Sequence, residues 1–429
     1  MVTKQQNWIA RDQAVNWHPY TQMKTTRAIP IIRGEGAYLY DADGKQYIDA
    51  VSSWWVTLHG HAHPYIAESV SKQLYELEQV IFAGFTHRPA IELSERLLSL
   101  LPRLQSKAFY SDNGSTAVEV ALKMALQYAY NSGRPKSKIL AFRNGYHGDT
   151  FGAMSVSARG KWTAPFQDLL FETIFIDVPN RENIEELKNI VDQHKGELAC
   201  FLYEPLVQGA GGMLMHEAMY LSALMAHCRA SNVLLIQDEV FVGFGRTGTL
   251  FAANQLQEEP DIMCFSKGLT GGTMPLGLTT CTLDIYDAFY HDEKSRALFH
   301  GHSFTANPLA CTAALASLDL LLLDSTQRSI QKIAHMHQQF VAKLNGHPQV
   351  RHARSCGTIL ALEWEIGQET SYFSNLQHSL YIFFLERGIL LRPLGNTLYL
   401  VPPYCLSTED LEHIYDAIME ALSVFPSIE

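Results

Sequence analysis

The chain has 429 residues, of which 47 % are hydrophobic and 18 % charged, with a formal net charge of −11 at pH 7. That length can bury a large core, as one large domain with a smaller one or as two comparable domains. The acidic balance argues against a nucleic-acid or anionic-membrane surface, and no apolar run approaches bilayer length.

The N-terminus, MVTKQQNWIARDQAVNWHPY, lacks the apolar core of an export signal. Seven Cys, at 200, 228, 264, 281, 311, 356 and 405, are scattered and form no Cys-x-x-Cys. An odd, unpatterned set predicts free thiols and a cytoplasmic protein.

Aromatic residues gather early, in Trp17-His18-Pro19-Tyr20 and Trp54-Trp55. Two readings stand: core packing of a small domain, or an aromatic box for a bulky or cationic substrate. Between them, Ala37–Asp49 reads as a hairpin turning at Asp41-Ala42-Asp43-Gly44, and we expect it to pack with the C-terminal domain. His59, His61 and His63 alternate and could share one face of an extended segment. No Cys, Glu or Asp cluster completes a metal shell there or at His300 and His302, so no metal site is expected.

From about residue 105 to 285, short apolar runs alternate with helical patterns. The runs are Lys138–Phe142, Thr173–Asp177, Ala199–Glu204, Val233–Ile236 and Ile262–Phe265, and 182–194 and 219–230 read as helices. Runs apolar on both faces suit a mainly parallel sheet, and the alternation is that of an α/β domain.

Ser111-Asp112-Asn113-Gly114-Ser115-Thr116 leads into a helix with apolar Val118, Leu122, Ala125 and Leu126. Free N–H groups at Gly114 and Ser115 would suit a phosphate; ordinary capping by Ser115 or Asp112 is the plainer account. Asn144–Thr150 follows the Lys138–Phe142 strand, at the sheet end where such folds bind ligands. Tyr146 there could stack on a ring or sit half-buried in a turn.

Asp238 ends the Leu234–Asp238 run, and Ser266-Lys267-Gly268 follows the next strand, 29 residues later. This pattern holds pyridoxal phosphate. The Lys amine forms a Schiff base with the aldehyde, and the Asp keeps the pyridine nitrogen protonated. Gly243-Phe244-Gly245-Arg246-Thr247-Gly248 also matches Gly-x-Gly-x-x-Gly, the mark of a dinucleotide site. The acidic residue that should end a second strand is missing, since Asp261 precedes one. The glycines are read instead as tight turns that aim Arg246.

Residues 310–429 begin with two helical segments, 310–323 and 329–344. Strands near 358–364 and 397–401 follow, then a helix capped by Ser407 or Thr408. Arg392, between Leu391 and Pro393, has the setting of an Arg that pairs a carboxylate bidentately, from substrate or protein.

Several segments carry a resemblance. Glu239-Val240-x-x-Gly243-Phe244-Gly245-Arg246-Thr247-Gly248 and Ser266-Lys267-Gly268 are similar to the signature of the class III (ω-type) aminotransferases of PLP fold type I. Trp17–Thr21, Ser52–Trp55, Asn144–Ser155, Val207–Met213 and Leu269–Met274 extend it. The resemblance implies an α/β fold with a large PLP-binding domain over 56–309. A small α+β domain would be built from both chain ends, 1–55 and 310–429. It implies Lys267 as the Schiff-base residue, Asp238 as the pyridine partner, Gly114 and Ser115 at the phosphate, and Tyr146 on the ring. Gly301, His302 and Ser303 would approach the other subunit's cofactor in a homodimer. Tyr20, Trp54 and Arg392 would contact substrates, Tyr20 also serving catalysis, with Tyr399 a further candidate.

The extending segments imply S-adenosylmethionine as amino donor and 8-amino-7-oxononanoate as acceptor, in biotin synthesis. The alternative is an ω-aminotransferase for ornithine, 4-aminobutyrate or a diamine. The chain departs from the family with His302-Ser303 for Pro-Thr, Val242 for Thr and Leu394 for an aromatic residue.

Overall fold

The computed structural model describes residues 4–365 and 375–425. A seven-stranded sheet dominates, with strands in the order β4 (Gln105–Ser111), β12 (Gly277–Thr282), β11 (Ile262–Phe265), β10 (Leu234–Asp238), β7 (Leu198–Tyr203), β5 (Lys138–Phe142) and β6 (Ile174–Ile176). Neighbours from β11 to β6 run parallel, while β12 is antiparallel to both β11 and β4. Alternation along each strand assigns the two faces. Ile139, Ala141, Cys200, Leu202, Ile236 and Ile262 pack under the helix Gly114–Asn131. Leu140, Phe142, Phe201, Tyr203 and Leu235 face the helices Ile184–His194 and Ala218–Ala230. Both faces are covered, which is why the runs are continuously apolar.

The five apolar runs are strands as expected; β4 and β12 are additional. The helices after residue 307 begin earlier than the sequence patterns suggest, at Pro308 and Asp324, and Ser407 is the cap of the last one. Asp261, the failed dinucleotide acid, instead accepts the Leu235 N–H at 2.7 Å and pairs with Arg229, pinning β10 to β11.

The hairpin is present. β1 (Ile31–Glu35), β2 (Tyr38–Asp41) and β3 (Gln46–Asp49) form a meander, and β15 (Ile389–Leu390) adds to β3 in parallel. The chain's two ends therefore share one sheet. β13 (Val350–Cys356), β14 (Ile359–Trp364) and β16 (Thr397–Leu400) form a third sheet, and β8 (Val207–Gln208) pairs with β9 (Leu214–Met215).

The Gly-rich segment joins the C-terminal part to the large sheet. Phe244, Gly245 and Gly248 all have positive φ, and Arg246 between them is fully buried. Its Nη1 donates to the Pro402 carbonyl at 2.7 Å, with the guanidinium 5.1 Å from the Tyr404 ring centroid. The Tyr404 hydroxyl donates to the Phe244 carbonyl at 2.7 Å. Tyr404→Phe strands that buried acceptor, so stability should fall by about 1–3 kcal/mol, read from urea denaturation of the apoprotein. A loss within error would show that this bond does not hold the turn.

Candidate active site

Parallel strands send their carboxyl ends to one edge of a sheet. Here the loops after β4, β5, β7, β10 and β11 enclose a cavity of about 540 Å³. Its wall includes Gly114, Ser115, Tyr146, Glu204, Asp238 and Lys267.

Lys267 follows β11 in a left-handed turn, φ 45°. The Ser266 hydroxyl bonds the Leu276 carbonyl at 2.7 Å, and Ser317 reaches the Gly268 carbonyl from the helix Pro308–Leu321. The amine stands 4.7 Å from the Trp55 ring centroid and 5.6 Å from that of Phe241. Among the described residues it has no hydrogen-bond acceptor. Desolvation against these rings pushes Lys267 down to about 8, with the Asp238 and Glu204 carboxylates pulling the other way.

Asp238 closes β10 and is buried. Its Oδ2 lies 2.7 Å from His147 Nδ1, and its Oδ1 accepts the Val240 N–H at 2.9 Å. The far ring nitrogen of His147 is buried without a partner among the described residues. Glu204, just beyond β7, accepts the Tyr146 N–H on Oε2 at 3.0 Å and the Gly209 N–H on Oε1 at 2.9 Å. Burial lifts its carboxyl to about 7, with Asp238 adding to the rise and His147 opposing it.

At the other end of the cavity the helix Gly114–Asn131 begins. Its cap is neither Ser115 nor Asp112 but Asn113, which accepts the Thr116 N–H at 3.0 Å and completes a capping box with Thr116. Thr116 can supply both halves of that box, whereas Ser115 already lies within the helix. The Gly114 and Ser115 N–H groups have no acceptor among the described residues. The Ser115 hydroxyl pairs with Thr150 at 2.7 Å, and Thr150 donates to Glu119 at 2.6 Å. A Cβ on Gly114 would lie 2.6 Å from Val240 Cγ1, so only glycine lets this helix start approach the Asp238 loop.

The aromatic side is built from distant segments. Asp149 accepts the Tyr20 hydroxyl at 2.6 Å and the Tyr146 hydroxyl at 3.0 Å. Burial, the Tyr20 bond and the Asp149 charge push Tyr146 well up. Tyr20 packs edge-on against Trp54 at 5.6 Å, and Arg392 lies 4.8 Å from the Trp54 ring centroid. The two tryptophans divide the two readings between them. Trp54 is 40 % exposed, while Trp55 is buried against Phe241 and Tyr399.

Arg392 pairs with no protein carboxylate among the described residues, and its guanidinium lies over the Trp54 face. Gly301, His302 and Ser303 lie off their own chain's cavity, in a turn where Ser303 O accepts Gln79 Nε2 and His302 N donates to Thr305. Of the alternating histidines, His59 and His63 meet edge-on with ring centroids 6.4 Å apart, while His59 bonds Ser317 at 3.1 Å and His61 turns to Asp49 at 2.8 Å. Sequence reasoning missed His147, Glu204 and Asp149 as neighbours of the predicted residues. A signal existed for Glu204, since an acid ending an apolar run is the same mark that exposed Asp238.

The sequence profile of the family described as Aminotransferase class-III matches residues 20–422. The adenosylmethionine-8-amino-7-oxononanoate aminotransferase of Synechococcus elongatus is 46 % identical over 417 residues, 95 % of this chain and 98 % of that protein. The crystal structure of the protein of that name from Methanocaldococcus jannaschii superposes with a TM-score of 0.94 at 34 % identity, over 97 % of this chain and 99 % of that one. An amine transaminase from an uncultivated Pseudomonas species, in a PLP-bound form, has a TM-score of 0.90 at 30 % identity over 96 % and 98 %.

The lowered Lys267 pKa predicts a reactivity profile. In the apoprotein its neutral amine should increase as pH rises through about 8. A rate of modification by trinitrobenzenesulfonate that is lost in Lys267→Ala should have its midpoint there. A midpoint at the ordinary lysine value would show that the pocket does not desolvate the amine.

Proposed function

The chain belongs to the class III aminotransferases, and from that premise we propose that it moves an amino group from S-adenosylmethionine to 8-amino-7-oxononanoate, yielding 7,8-diaminononanoate for biotin synthesis. Whole-length likeness to a relative named for that reaction carries the reading. The wall of Tyr20, Trp54 and Arg392 gives it a physical basis. A sulfonium is attracted to ring faces, and a fixed guanidinium suits a carboxylate far from the reacting ketone.

The enzyme depends on pyridoxal 5′-phosphate, and the cavity fits it. Gly114 and Ser115 offer unengaged N–H groups at a helix N-terminus, for the phosphate. Asp238 is buried and oriented by His147, for the ring nitrogen. Lys267 offers an amine with no hydrogen-bond acceptor among the described residues, for the aldehyde carbon. When bound, the cofactor supplies an aldehyde that takes up amino groups and a ring that accepts electrons from the adjoining carbon.

The protein's own residues do the rest. Lys267 Nζ takes the proton from the amino-bearing carbon of the donor and returns one to the carbonyl carbon of the acceptor. Its displacement to about 8 brings proton uptake and release near working pH. Asp238 keeps a proton at the ring nitrogen. Glu204 holds the Tyr146 loop in place, and Asp149 joins Tyr146 to Tyr20, so the ring face and substrate wall are positioned together. Trp55 and Phe241 keep water from the Lys267 amine.

In this reading residues 56–309 form the cofactor-binding domain, while 1–55 and 310–429 supply the small domain and the substrate wall. The enzyme is a homodimer in which the Gly301–Ser303 turn of one protomer completes the phosphate site of the other. In support, exposed Ile81, Phe85, Phe299 and Phe304 occur in the same two stretches of chain as Gln79 and this turn, an apolar group suited to a second copy. The seven cysteines are all unpaired, which favours the cytoplasm. No single helix among the described residues is long and apolar enough to cross a membrane.

The test supplies PLP-loaded enzyme with 8-amino-7-oxononanoate and each donor separately, S-adenosylmethionine and lysine. Diamine product with S-adenosylmethionine is expected. Turnover confined to ornithine or 4-aminobutyrate with 2-oxoglutarate would replace this reading. Arg392→Ala should slow the acceptor half-reaction by about tenfold or more, roughly 1.4 kcal/mol, and the donor half-reaction far less. Single-turnover absorbance measures each half, and equal slowing would mark Arg392 as structural.

A further inference from the structure

The substrate wall stands on a strained turn. Ser52, Ser53 and Trp55 have φ of 49°, 59° and 68°, in the left-handed region that residues with a Cβ avoid. Three such residues within four persist only where their surroundings hold them. The Ser52 hydroxyl donates to the Val401 carbonyl at 2.7 Å, and one carboxylate holds Ser53. Asp49, whose side chain is fully buried, accepts the Ser53 N–H on both oxygens, at 2.9 and 2.7 Å, and the Ser53 hydroxyl at 3.0 Å. His61 Nε2 lies 2.8 Å from the same Oδ2.

His61 is itself seated. Its backbone exchanges hydrogen bonds with Gly36, and a Cβ on Gly34 would lie 2.6 Å from the His61 Cβ. We propose that Asp49 and His61 are positioning residues of the substrate pocket. They keep Ser52–Trp55 in its strained form, so that Trp54 stands between Tyr20 and Arg392 while Trp55 faces the Lys267 amine. Without the imidazole, Asp49 loses one of its hydrogen-bond partners, and the turn relaxes towards right-handed geometry, carrying both indoles with it. This inference rests on the reading that the wall binds the donor.

The experiment uses protein labelled with 5-fluorotryptophan, its Trp54 signal assigned by Trp54→Phe. In the ¹⁹F spectrum of the apoprotein, His61→Ala should shift the Trp54 and Trp55 signals and leave that of buried Trp364 in place. His61→Gln retains an N–H for Asp49 and should restore the wild-type spectrum. With the loaded enzyme, His61→Ala should raise KM for S-adenosylmethionine tenfold or more and also lower kcat, because Trp55 leaves the Lys267 amine, and His61→Gln should recover both. An unmoved Trp54 signal overturns the brace. So does a spectrum in which Trp364 moves equally, since the effect is then not local. A moved signal with unchanged KM overturns its role in binding. If the wild-type enzyme does not use S-adenosylmethionine, the functional reading fails, and the fluorine spectra alone still decide whether the brace holds the turn.

Discussion

Asp238 is a carboxylate taken out of water, and the site is arranged around keeping it charged and aimed. A buried anion is tolerated only with hydrogen-bond donors close by. His147 and the Val240 N–H provide them. That requirement brings the 144–150 loop against the end of β10. Tyr146 and Asp149 arrive with the loop, and through Asp149 so does Tyr20.

Lys267 and Glu204 show how one cavity balances opposite demands. Each has lost water, and loss of water disfavours charge on both. The lysine falls and the carboxyl rises until their values nearly meet. Neither is then locked in one protonation state near neutrality, as a site that moves protons requires. Glu204 meanwhile keeps two backbone N–H bonds that favour its ionised form, so its charge and the loop geometry are linked.

What could be read in advance follows from how chemistry is written along a chain. The place of Lys267 and Asp238 in the cavity was legible because each ends or follows an apolar run. The Tyr20–Asp149 bond was not, since 129 residues separate its partners. Strands β4 and β12 escaped for a different reason. Their sequences, QSKAFYS and GLTTCT, carry Lys, Ser and Thr where a covered strand is expected to be apolar. Thr279 and Thr280 sit there fully buried because the Ala117 carbonyl and the Gln105 side chain satisfy their hydroxyls. Asn113 was passed over as cap because its neighbours Asp112 and Ser115 carry equally good capping groups.

The short pairing between the chain's two ends has a further bearing. Ile48 lies opposite Ile389 and Asp49 opposite Leu390, and this two-residue ladder is the whole of the parallel contact between β3 and β15. Trp54 leaves one strand five residues later, and Arg392 leaves the other after two. The spacing of indole and guanidinium is thus encoded as a strand register. A slip of one residue would move one group by about 3.3 Å relative to the other and reverse its side. A slip of β3 would also carry Trp55 off the Lys267 amine, whereas Arg392, beyond β15, can move without it. An insertion or deletion just after β15 is therefore a single genetic event that can change which molecules enter while leaving Trp55, Lys267 and Asp238 in place.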